Sequence, residues 1–146
     1  MKNIGVSIIT VVYNNIRGIE RTIQSVLNQS YNNIEYIIID GGSTDGTLDV
    51  IKRYENRISY WISEADEGIY NAMNKGILKA HGSFLNFMNS GDTFVTSTTI
   101  ERLIERYEKG DKIIYGNILK CYDRRKERTS GIVSSHPDII VFLIRI

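Results

Sequence analysis

At 146 residues, 42% of them hydrophobic and 24% charged, the chain is sized and composed for one globular domain rather than a disordered segment. A net charge of +1 removes any global electrostatic case for nucleic acid or an anionic membrane. One cysteine, Cys121, excludes an internal disulfide framework and fits a reducing compartment. Residues 1–5 pass directly into a strand pattern, so no secretory leader is expected. The late apolar run, residues 139–144, is far short of the roughly 20 residues that span a bilayer, and no internal repeat or low-complexity segment stands out.

Residues 6–15, Val-Ser-Ile-Ile-Thr-Val-Val-Tyr-Asn-Asn, read as a strand buried on both faces that closes in polar residues. Ile16, Ile19, Ile23, Val26 and Leu27 follow helical spacing and give one apolar stripe. A second β-favouring run, residues 36–39, ends at Asp40 and passes into the turn Gly41-Gly42-Ser43-Thr44-Asp45-Gly46. Ser43, Thr44 or Asp45 is expected to cap a short helix beginning near Gly46, marked by Leu48, Ile51 and Tyr54. Residues 58–62 read as a third strand. Gly68 opens a helix through about Lys79, with Ile69, Ala72, Met73, Ile77 and Ala80 inward. Residues 83–88 form a fourth strand that ends in Asn89-Ser90-Gly91-Asp92. Thr98 and Glu101 have capping-box spacing ahead of Ile100, Leu103, Ile104 and Tyr107, and residues 112–118 read as a fifth strand.

This alternation implies an α/β fold with a mainly parallel sheet flanked by helices. Beyond about Leu119 the pattern degrades. Lys120, Arg124, Arg125, Lys126 and Arg128 crowd a polar loop, and Ser134-Ser135-His136-Pro137 leads into an apolar tail, residues 139–146, with no obvious partner. Such a tail, β-prone and nearly uncharged, is expected to promote association when unpaired.

The strand ends carry the chemistry. In open α/β sheets ligands bind beyond the carboxyl ends of strands, and two such ends in succession, after Tyr13 and at Asp40, imply one crevice. Asp66 and Gly68 precede a helix whose amides can bind an anion. Asn71, Asn74 and Lys75 share a face of that helix, and Lys75 can neutralise a phosphate; a merely solvated face is the competing reading. Asn89, Gly91 and Asp92 suit a hydrated divalent cation, with a turn or cap role as the alternative. There is no GxxxxGK[ST] loop, no GxGxxG after the first strand and no Cys/His cluster for zinc. Of the two histidines, His81 is expected on a surface turn.

Taken together, Ser7-Ile-Ile-Thr-Val-Val-Tyr-Asn14, the turn 40–46, residues 63–76 and Phe87-Met-Asn-Ser-Gly-Asp92 resemble, in order and spacing, the motifs of family 2 glycosyltransferases. The likeness runs over residues 6–118. It implies the GT-A fold, a Rossmann-like nucleotide-sugar-binding architecture, with residues 1–118 as the donor-binding domain and 119–146 as the incomplete start of an acceptor-binding half. It implies that Thr10 and Tyr13 line the nucleoside pocket, with Val12 between them and Gly42 also in the site. Asp40 is implied to accept an imide N–H of the base, a charge-assisted bond. Asn74 and Gly76 match the family's helix motif near the nucleotide, and Asp92 matches the end of its metal-binding acidic motif, implying Mn2+ or Mg2+. Where the family carries further aspartates this sequence has Asn89 and Gly91, and Met73 stands where arginine is frequent. Both departures resemble a branch involved in bacterial surface-polysaccharide assembly.

The resemblance thus implies inverting transfer of a sugar from a nucleotide-diphosphate donor to a saccharide or lipid-linked acceptor, in the cytoplasm, with peripheral membrane association open and no nucleic-acid partner. Members of the family continue well beyond this length, and no catalytic base is named in these residues. The alternatives are a truncated, non-catalytic nucleotide-sugar-binding module, or a protein-interaction domain that uses the basic loop 120–128.

Overall fold

A computed structural model describes residues 3–117 and 139–145. The basic loop 120–128, Cys121 and the segment around His136 lie outside the described residues. Six strands form one sheet: β1 (Val6–Val12), β2 (Ile34–Asp40), β3 (Tyr60–Ser63), β4 (Phe84–Phe87), β5 (Ile113–Asn117) and β6 (Ile139–Arg145). Four helices connect them: α1 (Ile16–Leu27), α2 (Thr47–Arg53), α3 (Ile69–Lys79) and α4 (Thr99–Glu105). None of these helices is long and apolar enough to cross a membrane.

The strand order is β3-β2-β1-β4-β6-β5. The first four strands in that order pair in parallel, as βαβ connections require. β1 is buried along its whole length, which is why Val-Ser-Ile-Ile-Thr-Val-Val carries no clean polar alternation. The parallel pattern ends at β4. β6 pairs antiparallel with β4 on one side and with β5 on the other. The tail expected to lack a partner is therefore an interior strand, and the expectation that it drives association loses its premise. The reason is topological: its partners lie far away in sequence, where local pattern gives no sign of them. The expected domain division at 118/119 falls outside the described residues, but residues 139–145 join the same sheet as β1 to β5.

The two sheet faces differ. On one, α1, α2 and α4 enclose a large core with Ile8, Val12, Ile19, Ile23, Tyr36, Ile38, Ile51 and Ile100. On the other, α3 covers a smaller cluster of Ile9, Val11, Ile37, Ile39, Ala72 and Leu85. The expected inward stripe of α3 is only partly realised. Ala72 is buried, but Ile69 and Ile77 are exposed, because one helix on a flat face buries a narrow line of contacts. Ile16, expected in the α1 stripe, is likewise exposed at the helix start.

Caps differ from expectation in one place. Asn15 caps α1 by accepting from the Gly18 N–H. Thr98 makes no side-chain cap at α4, and the Glu101 carboxylate instead accepts from the Ser30 hydroxyl at 2.7 Å. The Ile100 N–H is satisfied from outside, by Gln29 Oε1 at 3.1 Å. β3 begins two residues later than the pattern suggested, since a single 3-10 turn, Glu55–Arg57, occupies the approach.

Candidate functional site

The carboxyl ends of β1 and β2, the loop after β3 and the start of α3 surround a cleft of about 510 Å³. It is lined by Val11, Val12, Tyr13, Gly41, Ala65, Asp66, Gly68, Ile69 and Ala72. A cleft of a few hundred Å³ with apolar walls and few polar groups is the usual form of a small-molecule site. Of the residues singled out from sequence, Val12, Tyr13, Asp66 and Gly68 line it.

Asp40 ends β2 directly before the cleft-lining Gly41 and is fully buried. Its Oδ2 accepts from the Ser43 N–H at 3.0 Å and from the Ser63 hydroxyl at 2.5 Å, and its Oδ1 accepts from the Ser43 hydroxyl. Burial of a carboxylate is tolerable only with such donors. From sequence Ser43 was named only as a candidate helix cap, and Ser63 was given no role of its own; their place within the turn and at the end of β3 is the signal that could have found them. Asp66 lies against Gly41, so that a Cβ on Gly41 would stand 2.9 Å from Asp66 Oδ2. A methyl group there would push the Asp66 carboxylate aside. Asp66 Oδ1 accepts from the Gly68 N–H at 3.0 Å, which holds the turn into α3.

Thr10 and Gly76 sit elsewhere. Thr10 is enclosed on the α1 side of the sheet, sharing a 3.1 Å hydrogen bond with the Tyr36 hydroxyl. Burial pushes that phenol well above its ordinary pKa, partly offset by the bond to Thr10. Its neighbour Val11 faces α3 and lines the cleft in its place. Strand alternation puts Thr10 and Val11 on opposite faces, while at the strand end Val12, on the same face as Thr10, also reaches the cleft. Gly76 is buried in the packing of α3 on β1, where a Cβ would meet Ile9 Cγ2 at 2.5 Å. On the outer part of α3, Asn74 is exposed and Asn71 half-buried. Lys75 Nζ is tied to the Glu64 carboxylate at 2.9 Å and to the Ala65 carbonyl at 3.3 Å. It braces the loop that carries Asp66.

The Asn89-Ser90-Gly91-Asp92 turn follows β4 beside the end of β1. The Met88 and Ser90 N–H groups donate to the Ile9 and Val11 carbonyls, and the Asp92 N–H donates to the Asn89 carbonyl. Gly91 takes a positive φ of 105° there. The turn lies beside the cleft rather than in its lining. Asp92 is exposed, while Asn89 Oδ1 is buried with no hydrogen-bond partner among the described residues. An exposed carboxylate and an orphaned amide oxygen are the oxygen donors that Mg2+ or Mn2+ prefer, and such ions use few protein ligands when a phosphate supplies others. The described residues hold no cluster of three or more His, Cys, Asp or Glu. The residues present fit a cation that phosphates help to hold.

Between the strand ends, Asp45 fastens two helix starts. Its Oδ2 accepts from the Ile16 N–H and its Oδ1 from the Thr47 N–H and hydroxyl. The bond from Thr47 leads in holding its carboxyl below the ordinary aspartate pKa. Asn14, at φ 47°, accepts from the Thr44 N–H, and its own N–H donates to the Ser43 hydroxyl. The loops after β1 and β2 are thereby joined.

The family description Glycosyl transferase family 2 matches residues 7–142. The chain belongs to that family. A Mycobacterium tuberculosis protein named as a glycosyltransferase, MT1564, is 42% identical over 101 residues, covering 68% of this chain and 38% of the relative. TuaG of Bacillus subtilis, named for teichuronic acid biosynthesis, is 42% identical over 90 residues, covering 60% of this chain and 36% of its own length. The chain thus spans less than half the length of these family 2 relatives. Among solved structures, the mannosyltransferase PcManGT from Pyrobaculum calidifontis, in complex with GDP-Man and Mn2+, superposes with a TM-score of 0.66 at 20% identity. It matches 72% of this chain and 32% of its own. TarS residues 1–349 from S. aureus, in complex with UDP-GlcNAc, gives 0.63 at 24% identity, over 69% of this chain and 30% of the other. The fold is GT-A.

Proposed function

We propose that this family 2 chain binds a nucleotide-diphosphate sugar in the cleft at the ends of β1 and β2, and serves inverting transfer of that sugar to a saccharide or lipid-linked acceptor in cell-surface polysaccharide assembly. The observation that carries the reading is the convergence of three strand ends: the β1 end and Gly41 beside Asp66 at the cleft, with the Asp92 turn adjoining. Relatives solved with GDP-Man and Mn2+ or with UDP-GlcNAc, and one named for teichuronic acid biosynthesis, support it.

In this reading Tyr13, exposed at the mouth, offers a ring face to the base. Asp40 accepts a base N–H. A carboxylate has about four lone-pair sites, and Ser43 and Ser63 occupy three of them, so one remains. Because Asp40 is fully buried, a group that covers it must move for the base to reach it. Asp66 faces the sugar-bearing part of the donor. Asp92, with Asn89, holds Mg2+ or Mn2+. When bound, that ion neutralises charge on the departing nucleoside diphosphate. Deprotonation of the acceptor hydroxyl belongs to a base not assigned to any residue here. The described residues, β6 included, form the donor-binding unit, and we place its work in the cytoplasm, with docking at the inner face of the membrane.

Calorimetry with UDP and with GDP, each with and without Mn2+, tests this. Wild type should bind one of them more tightly with Mn2+, and Asp92→Ala should lose that gain while keeping the metal-free affinity. Equal manganese gains in both proteins would sink the metal assignment. A parallel assay of donor hydrolysis and transfer separates an enzyme from a donor-binding module, since binding without turnover favours the latter.

A further inference from the structure

We infer that α1 is the element that positions the metal-binding turn, with Thr22 as its central positioning residue; this rests on the reading of Asp92 given above. Four polar residues run along one line of α1 and its two ends: Asn15, Thr22, Ser25 and Gln29. Spacings of seven, three and four put them on one helical face. Each meets the segment after β4, and the targets advance in step.

Asn15 Nδ2 donates to the Ser90 carbonyl at 3.1 Å and to its hydroxyl at 3.0 Å. The Thr22 hydroxyl accepts from the Gly91 N–H at 2.9 Å and donates to the Asp92 carbonyl at 2.8 Å. The Ser25 hydroxyl accepts from the Phe94 N–H at 2.7 Å. Gln29 donates to the Thr96 carbonyl at 2.8 Å and accepts from the Ile100 N–H. Nearly every one of these bonds goes to backbone, so the row fixes the path of the segment whatever its side chains are.

Thr22 is fully buried, where a valine of similar shape would fill the space without a polar group to satisfy. The hydroxyl also reaches the Gly18 carbonyl, the usual resting place of a helical threonine, but at a longer 3.3 Å. Its closer partners bracket the Gly91–Asp92 peptide on both sides. That bracket fixes the backbone at the Asp92 Cα, and with it the direction in which the carboxylate leaves the chain. Outer groups that orient a ligand in this way govern metal affinity without touching the metal.

The test measures binding of UDP and of GDP, each with and without Mn2+, in the full chain, together with amide hydrogen exchange at Gly91, in wild type, Asp92→Ala, Thr22→Val, Thr22→Ser and Asn15→Ser. Asn15→Ser keeps a good helix cap and removes the reach to Ser90. Thr22→Val should lose the manganese-linked gain by about tenfold or more, with metal-free UDP affinity held and the Gly91 amide exchanging faster. Thr22→Ser should restore both. If Thr22→Val does not fold, Asn15→Ser carries the same expectation. Loss of the gain in Asp92→Ala, with the gain kept in the folded Thr22 and Asn15 variants, overturns this inference and leaves the site reading standing. A gain kept in Asp92→Ala, or absent from wild type with both UDP and GDP, overturns both.

Discussion

Gly76 shows how two residue-scale effects compete. In the middle of a helix, replacing glycine by alanine ordinarily stabilises by about 0.5–1 kcal/mol. Here the new methyl group would stand 2.5 Å from Ile9 Cγ2, in the fully buried β1 strand. Overpacking a rigid core costs about 1–3 kcal/mol, so the clash should win. Gly76→Ala is expected to lower the urea midpoint, and a rise would mean that α3 can lift from the sheet at little cost. Gly76 was placed near the nucleotide by its match to the family's helix motif; in sequence, a glycine needed for packing and one needed for close approach to a ligand look identical. Asp66 and Gly68 reach the cleft because they stand in the turn that opens α3. Thr10 was implied as a pocket residue by the family resemblance alone, which carries no account of the side of the strand, and it is Val11 that lines the cleft.

At the scale of elements, the amino ends of three adjacent strands are stitched by Glu35. Its carboxylate accepts from the Ser7 hydroxyl of β1, and from the His81 N–H and ring just before β4. Partial burial pushes the Glu35 pKa up, but these bonds outweigh it and hold the group below its ordinary 4.5. A carboxylate lowered on folding stabilises fully above its unfolded pKa, and that contribution fades as pH falls through the lower folded value. Wild type should therefore lose stability below about pH 4.5 more steeply than Glu35→Gln. Urea midpoints measured across the acid range decide this: parallel curves would remove Glu35 from the acid transition. Most elements were legible because buried parallel strands and helical stripes are local patterns. The capping box was not, since the Glu101 carboxylate accepts instead from Ser30, in the loop after α1.

For the whole molecule, the decisive feature is the placement of β6. Phe84 pairs with Arg145 and Ile113 with Ile144, so one strand bonds two others that it follows by dozens of positions. No periodicity within residues 139–145 could reveal this; only the rest of the sheet does. A chain shortened to residues 1–117 would leave β4 an open edge and β5 without its partner. It is expected to lose cooperative unfolding and to associate, as unpaired edges do. Sedimentation and a denaturant melt would show it, and a monomer with the parent midpoint would mean that the parallel four-strand unit stands alone.

The same placement sets an order of events during translation. A ribosome delivers β4 and β5 before the strand that must slide between them, so the nascent sheet waits with a gap between β4 and β5, one strand in from its rim. Until residue 145 has emerged, that gap is a template that any other extended peptide in the cell can read, and chaperone capture is most valuable in this interval.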